Sequence, residues 1–117
     1  MPIIDVTCGD RVGRRTRQDL AQTLPHSVSL AVECPEEPYD GDLQGGDVVL
    51  RFHDVGPIDR FELDVLIEVK SKWFPSRAGD RQRRVDDILD RAKETLPNDF
   101  HVGVYLALPV ASWAEPD

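Results

Sequence analysis

The sequence predicts an α+β fold in which two β-α-β units form a mixed sheet with two helices on one face. Apolar and charged residues alternate along one segment, as in a half-buried strand, and two other segments carry apolar residues at helical spacing. These segments follow the order β-α-β, β-α-β, with connections short enough for parallel crossovers. We expect five strands and a single domain over residues 1–117.

The first half of the chain predicts a strand and then a long helix. Residues 2–8 are rich in β-branched side chains, and Gly9 ends the strand. A helix is expected from Arg14 to about Cys34, with a kink at Pro25. Its apolar face repeats at steps of four residues: Leu20, Leu24, Val28 and Val32. Residues 27–33 also fit a strand by their alternation, although the spacing favours the helix.

The second half repeats this order. Residues 61–69 show the clearest strand pattern in the chain, with apolar side chains on one face and charged side chains on the other. A helix with one apolar face is expected over residues 80–96. The other predicted elements are a loop at 35–46, a strand at 47–55, a turn at 56–59, a loop at 71–79, a strand at 100–108 and a tail at 109–117. Thr-Leu-Pro occurs in both helical segments, at residues 23–25 and 95–97, as a weak internal echo.

Composition and charge exclude several classes of protein. Fourteen basic against 22 acidic residues give a net charge of −8, which argues against a nucleic-acid partner bound over a broad surface. No apolar run approaches the ~20 residues of a membrane span, and no signal-peptide pattern is present, so we expect a cytoplasmic protein. Cys8 and Cys34 lack metal-binding or CxxC spacing and are expected to be reduced thiols.

Four short motifs resemble the tautomerase superfamily, most closely 5-carboxymethyl-2-hydroxymuconate isomerases and 4-oxalocrotonate tautomerases. Pro2-Ile3-Ile4 resembles the amino terminus of that family. Residues 76–82 are similar to its Gly-Arg-Ser-x-x-x-Arg-Gln stretch, and residues 50–55 are similar to its Ser-Arg-Val-His strand. Residues 108–113 resemble its Pro-x-x-x-Trp closure. The resemblance implies the tautomerase fold and a homotrimer whose sheets pack around a threefold axis.

The resemblance also implies a reaction. Once Met1 is removed, Pro2 carries a secondary amine whose pKa falls below the ordinary ~8 when the group is desolvated or lies near arginines. Such an amine is a general base for a 1,3-proton shift on a small unsaturated 2-oxo or 2-hydroxy acid. Arg77, Arg51 and Arg11 are the candidate residues for binding the carboxylate or enolate oxygens of this substrate. No cofactor and no metal are expected.

Two other functions stay open. The chain can be a catalytically inactive binding or assembly protein with the same fold. It can also be a metal-dependent nuclease, because Asp59, Glu68 and Lys70 fit the PD…ExK pattern. The alternative for the charged residues of the 61–69 strand is a polar face that lines the centre of an oligomer.

Some conspicuous residues have simpler explanations. Trp73, Phe74 and Trp113 are expected either to wall the pocket that desolvates the amine or to pack in a core or interface. The three histidines are too scattered for a metal site. Seven further arginines are expected to lie on solvated helix faces: Arg14, Arg15, Arg17, Arg81, Arg83, Arg84 and Arg91.

Overall fold

The computed structural model describes residues 2–38 and 43–116, so part of the predicted 35–46 loop, residues 39–42, lies outside the described residues. The strands are β1 (Ile3–Cys8), β2 (Val49–Asp54), β3 (Val65–Lys70) and β4 (Val102–Ala107), and the helices are α1 (Arg14–Val32), α2 (Pro75–Gly79) and α3 (Arg81–Thr95). The strands form one mixed sheet in the order β2-β1-β3-β4. The predicted α+β class is confirmed.

The two halves of the sheet are related by an approximate twofold axis. Each β-α-β unit contributes a parallel pair, and β1 runs antiparallel to β3 at the centre. The register is equivalent in the two units, since Ile3 pairs with Val49 and Val65 pairs with Val102. The hydroxyls of Thr23 and Thr95, the threonines of the internal echo, lie 3.4 Å apart. The echo therefore brings the two threonines together, although Thr23 lies in the middle of α1 and Thr95 at the end of α3.

The core lies between α1, α3 and one face of the sheet. The alternation of β1 and β3 places one set of side chains inside, where burial of apolar area stabilises the fold. These inward residues are Ile4, Val6, Cys8, Val65, Ile67 and Val69. The opposite face, here called the open face, carries Asp5, Arg51, Glu68 and Tyr105 in one row across the four strands.

Three predicted features differ from the structure. The described residues form four strands and not the expected five, while residues 27–32 belong to α1, as their spacing favoured. The strand expected over 61–69 begins only at Val65, because β1 ends and β4 begins at the residues that pair with Val65; Asp64 still bonds through its backbone to Gly9 and His101. The expected loop at 71–79 contains the short helix α2, with Pro75 at its first turn.

A second correction concerns Arg84, which the sequence placed on a solvated helix face. It is buried, and its guanidinium donates hydrogen bonds to the carbonyl oxygens of Ala31 (3.0 Å) and Glu33 (2.7 Å) at the end of α1. Its Nε also lies 2.5 Å from an oxygen of Asp80. The last turn of α1 has no basic residue of its own, so an arginine from α3 compensates the negative end of the helix dipole.

Two further observations bear on the class of protein. Cys8 and Cys34 are buried free thiols, as expected, and burial raises the pKa of the Cys8 thiol. Among the described helices, none combines the length and the apolar character needed to cross a membrane.

Candidate functional site

A small pocket of about 100 Å³ lies at the end of the sheet where β1 begins, and the residue that follows Pro2 in the chain forms part of its lining. Pro2 is buried, and its carbonyl oxygen accepts a hydrogen bond from the backbone N–H of Val49 (3.2 Å). Ile3, the next residue, lines the pocket and pairs with Lys70 on β3. Because the pocket is smaller than the ~300–1,000 Å³ of sites for drug-sized ligands, it suits a small molecule.

The second wall of the pocket comes from the tail after β4. The backbone N–H of Trp73 donates to the carbonyl oxygen of Pro109 (2.9 Å), and that of Ser71 donates to Ala107 (3.1 Å). These bonds hold the tail beside the segment that leaves β3. Pro109, Ala111, Ser112 and Trp113 then face the pocket. Trp113, an expected candidate for an apolar wall, does line it, whereas Trp73 is held through its backbone.

Two lysines supply positive charge to this pocket. Lys70 and Lys72 both line it, on either side of the buried Ser71. Lys70 forms no ion pair within residues 2–38 and 43–116. The ammonium nitrogen of Lys72 lies 3.9 Å from a carboxylate oxygen of Glu37, a long separation for an ion pair. Cations with so little internal compensation can bind an anion that enters from solvent.

Behind Lys72 lies a buried arginine. Arg77 has an exposed fraction of 0%, and its Nε donates to the carbonyl oxygen of Val32 (2.7 Å). One Nη donates to the carbonyl oxygen of Lys72 (2.8 Å) and lies 3.4 Å from Glu37 Oε1. The structure therefore places Arg77 at the same end of the sheet as Pro2, but behind the pocket residues and already bonded. Its geometry favours positioning Lys72 over contacting a ligand directly.

Arg11 lies at the opposite end of the sheet, separated from Pro2 by the length of β1. Its guanidinium binds both carboxylate oxygens of Asp64 (2.9 and 2.8 Å) and one of Asp99 (2.9 Å), and it stacks on the ring of Phe100. The hydrogen bond from Arg11, followed by that from the backbone of His101, holds the pKa of Asp64 well below its usual range. These bonds clamp three loops together.

Arg51 lies on the open face, away from the pocket. Its guanidinium binds both oxygens of Asp5 (2.9 and 3.1 Å), and His53 Nε2 lies 2.7 Å from the same carboxylate. Burial raises the pKa of Asp5, but the hydrogen bonds from Arg51 and His53 together hold it below its ordinary value. Of the four predicted site residues, the structure thus brings Pro2 and Arg77 to one end and leaves Arg51 and Arg11 elsewhere.

The residues of the nuclease hypothesis are not arranged as a metal centre. Glu68 and Lys70 share the open face of β3, as predicted. Asp59 lies in the turn after β2, where its carboxylate accepts a hydrogen bond from the backbone N–H of Gly56 (2.7 Å). Across the part of the chain that the structure describes, no three His, Cys, Asp or Glu side chains are grouped to hold a metal ion.

No sequence pattern indicated Lys72 or Glu37 as site residues. Lys72 lies in an apparent loop, and Glu37 lies in a segment that composition alone assigns to a loop. Because α1 and β3 end at the same edge of the fold, Lys72 lines the pocket and Glu37 lies 3.9 Å from its ammonium nitrogen. For Arg84 a signal did exist, because it lies four and eight residues before Ile88 and Ala92, on the apolar stripe of α3.

No family model and no curated protein matches this sequence. Solved structures do match the fold. A macrophage migration inhibitory factor-like protein from Entamoeba histolytica is 10% identical, with a TM-score of 0.61, over 98% of this chain and 95% of the other. A fused 4-OT, described as an asymmetric trimer, is 9% identical, with a TM-score of 0.60, over 92% and 85% of the two chains. Pt0534, inactivated by 2-oxo-3-pentynoate, is 11% identical, with a TM-score of 0.58, over 90% and 83%.

These likenesses cover nearly the whole chain at low identity. They show that the chain shares the fold of these solved structures, in line with the α+β fold that the motifs implied. They do not distinguish the isomerase subfamily that the 76–82 stretch resembles.

Proposed function

We propose that this chain, with Met1 removed, is a tautomerase that catalyses a 1,3-proton shift on a small unsaturated 2-oxo or 2-hydroxy acid. The observation that carries the proposal is a buried Pro2 directly before Ile3, which lines a small pocket together with two lysines, on a tautomerase-like fold. The amine of Pro2 takes the proton from one carbon or oxygen of the substrate and returns it at another. No cofactor is needed for this step.

The pocket supports the chemistry of such a base. Burial disfavours the ammonium form of Pro2, and the positive charges of Lys70 and Lys72 act in the same direction, so both lower the pKa of the amine. A base is most effective when its pKa lies near the working pH. Pro2 is therefore a credible proton carrier at neutral pH.

The lysines also favour an anionic substrate. Lys72, Lys70 and the hydroxyl of Ser71 or Ser112 are placed to meet a carboxylate, and positive charge near the reacting oxygen stabilises a developing enolate. Arg77 enters the proposal through Lys72, whose carbonyl it holds. Ligand contacts by Arg51 and Arg11 stay predictions, because each guanidinium is paired with carboxylates of its own chain.

The open face of the sheet supports assembly into a homotrimer. Two helices cover only one face, and the other presents paired charges together with the exposed Tyr105. The fused 4-OT neighbour is described as a trimer. We propose that three open faces meet around an axis, with Glu68 on the face that is covered and Lys70 left at the pocket.

The test compares Pro2→Ala with the unaltered chain, both prepared without Met1 and confirmed by intact mass. Light scattering should give about three times the 13.2 kDa chain mass for both. The ultraviolet loss of phenylenolpyruvate or 2-hydroxymuconate reports turnover. Loss of a general base costs ~10²–10⁴-fold in kcat, and we expect a decrease in that range for Pro2→Ala.

A chemical probe gives a second readout. The amine of Pro2 can add to the alkyne of 2-oxo-3-pentynoate, which is known to inactivate Pt0534, and mass spectrometry would then locate the label. Turnover that is unchanged in Pro2→Ala, or no turnover above buffer in the Met1-free chain, would show that the proline mechanism is wrong. The second outcome favours an inactive binding protein with this fold.

A further inference from the structure

We propose that Glu37 is an internal competitor for the anion that binds beside Pro2, and that Arg77 holds it in that place. The inference rests on the proposed function in one respect only, namely that the pocket accepts a carboxylate. Glu37 and Arg77 are then positioning residues that set how strongly Lys72 binds its ligand.

The geometry gives Lys72 two possible partners. Its ammonium nitrogen lies 3.9 Å from Glu37 Oε2, and its side chain, 30% exposed, also lines the pocket. Charge-assisted hydrogen bonds between an ammonium and a carboxylate are ~2.7–2.9 Å long. The contact with Glu37 is therefore longer than a full hydrogen bond, and a ligand carboxylate can offer a shorter one.

Arg77 determines which side chain of this cluster can move when an anion binds. It is completely buried, donates to the carbonyl oxygens of Val32 and Lys72, and lies 3.4 Å from Glu37 Oε1. With Glu37 held by a fixed cation, the mobile member of the cluster is the ammonium of Lys72. Binding of an anion then transfers Lys72 from Glu37 to the ligand, while Glu37 stays with Arg77.

This arrangement has an unusual consequence for substitution. Neutralising Glu37 removes the competitor, so the variant should bind an anion more tightly than the unaltered chain. A purely structural role predicts the opposite, because loss of a buried charge next to Arg77 can only loosen the pocket. A change of ~0.4–1 kcal/mol, the upper part of the range for partly exposed ion pairs, corresponds to a gain of about two- to fivefold in affinity.

The experiment measures crotonate binding by nuclear magnetic resonance titration. Crotonate is an unsaturated carboxylate without an oxo or hydroxyl group, so its binding does not depend on turnover. We expect Glu37→Gln to lower the Kd about two- to fivefold. Glu36→Gln is the matched control, because Glu36 is exposed and its carboxylate accepts a hydrogen bond from the hydroxyl of Ser76 instead. Its Kd should equal that of the unaltered chain.

A double substitution isolates the role of Lys72. In a Lys72→Ala background, Glu37→Gln should give no gain in crotonate affinity, because the cation for which Glu37 competes is absent. The proposal is overturned if Glu37→Gln binds crotonate no more tightly, if Glu36→Gln shows the same gain, if the gain persists without Lys72, or if crotonate does not bind at all.

A measurement on the unaltered chain covers the case in which Glu37→Gln does not fold. The side-chain nitrogen signals of Lys72 and Arg77 are followed during the same titration. We expect the Lys72 signal to shift with the crotonate Kd and the Arg77 Nε signal to stay in place. An unmoved Lys72 signal, or a comparable shift of Arg77, contradicts the proposal. Since none of these readouts needs turnover, a failed tautomerase assay leaves their interpretation intact.

Discussion

The two ends of the central strand pair occupy equivalent positions but differ in how their charges are compensated. Pro2 precedes β1 as Asp64 precedes β3, with the same register to the neighbouring parallel strand. At the Asp64 end, Arg11 binds two carboxylates at 2.8–2.9 Å. At the Pro2 end, Lys70 has no ion pair among the described residues, and Lys72 is 3.9 Å from its nearest carboxylate.

This difference distinguishes cations that are bound within the fold from cations that can still bind an external anion. A cation that already binds two carboxylates of its own chain holds loops together and must break those bonds to bind anything else. A cation with a distant counter-ion loses little when an external anion arrives. In a chain with a net charge of −8, a pocket lined by two lysines with so little internal compensation supports placing the candidate site there.

The largest expected effect tests the arginines of the two ends. Arg77→Met should lower the free energy of unfolding by about 3 kcal/mol, since it leaves Glu37 and two buried carbonyl groups without this donor. Arg11→Met should cost much less, because the Arg11 side chain is 51% exposed and water replaces its bonds. Urea unfolding of the two variants measures the difference. Equal losses would contradict the assignment of Arg77 as a buried support.

The next effect concerns ligand binding without a change in stability. Lys72→Ala should raise the KM for a carboxylate substrate about tenfold, the lower end for a hydrogen bond to a charged group. Lys93→Ala is the control, because this exposed lysine lies in the last turn of α3, outside the pocket. Steady-state kinetics with thermal melting of each variant separates the two properties. A decrease in Tm that accounts for the lost activity of Lys72→Ala would argue against a binding role.

The smallest effect depends on pH and belongs to the Asp64 end. The hydrogen bonds from Arg11 and the His101 backbone keep the folded-state pKa of Asp64 below its unfolded value. The stability they provide is therefore present above the unfolded pKa of about 3.9 and is lost as pH falls through the folded pKa. At pH 7, Asp64→Asn should have a lower free energy of unfolding than the unaltered chain. Below about pH 4, this free energy should fall less steeply with pH in the variant. Urea unfolding at several pH values tests this, and parallel pH profiles would contradict it.

Periodicity predicted the parts of the fold that depend on burial. The steps of four from Leu20 to Val32 identified α1, and alternation identified the inward face of β3. The segment 61–64 showed the same alternation outside a strand, because strand formation also requires partners, and β1 and β4 do not extend that far. Pattern alone carries no information about the length of a neighbour.

The candidate site was only partly predictable for a related reason. Pro2 was identified by its place before a strand, and Arg77 by its likeness to a family stretch. The burial of Arg77 and the nearness of Glu37 to Lys72 depend on where α1 ends relative to β3, which no local pattern encodes. The sequence alone does not distinguish an arginine that binds a ligand from one that bonds the carbonyl groups at a helix end or one that holds loops together.

The tail at residues 109–113 shapes the pocket without belonging to the sheet, so ligand selectivity and fold stability depend on different residues. It forms one wall of the pocket yet contributes no strand to the sheet, and Val110 and Trp113 are exposed. Substitutions there can reshape the space beside Pro2 without removing a core side chain. During evolution such a segment can vary to accept new ligands while the residues that keep the sheet folded stay under their own, independent selection.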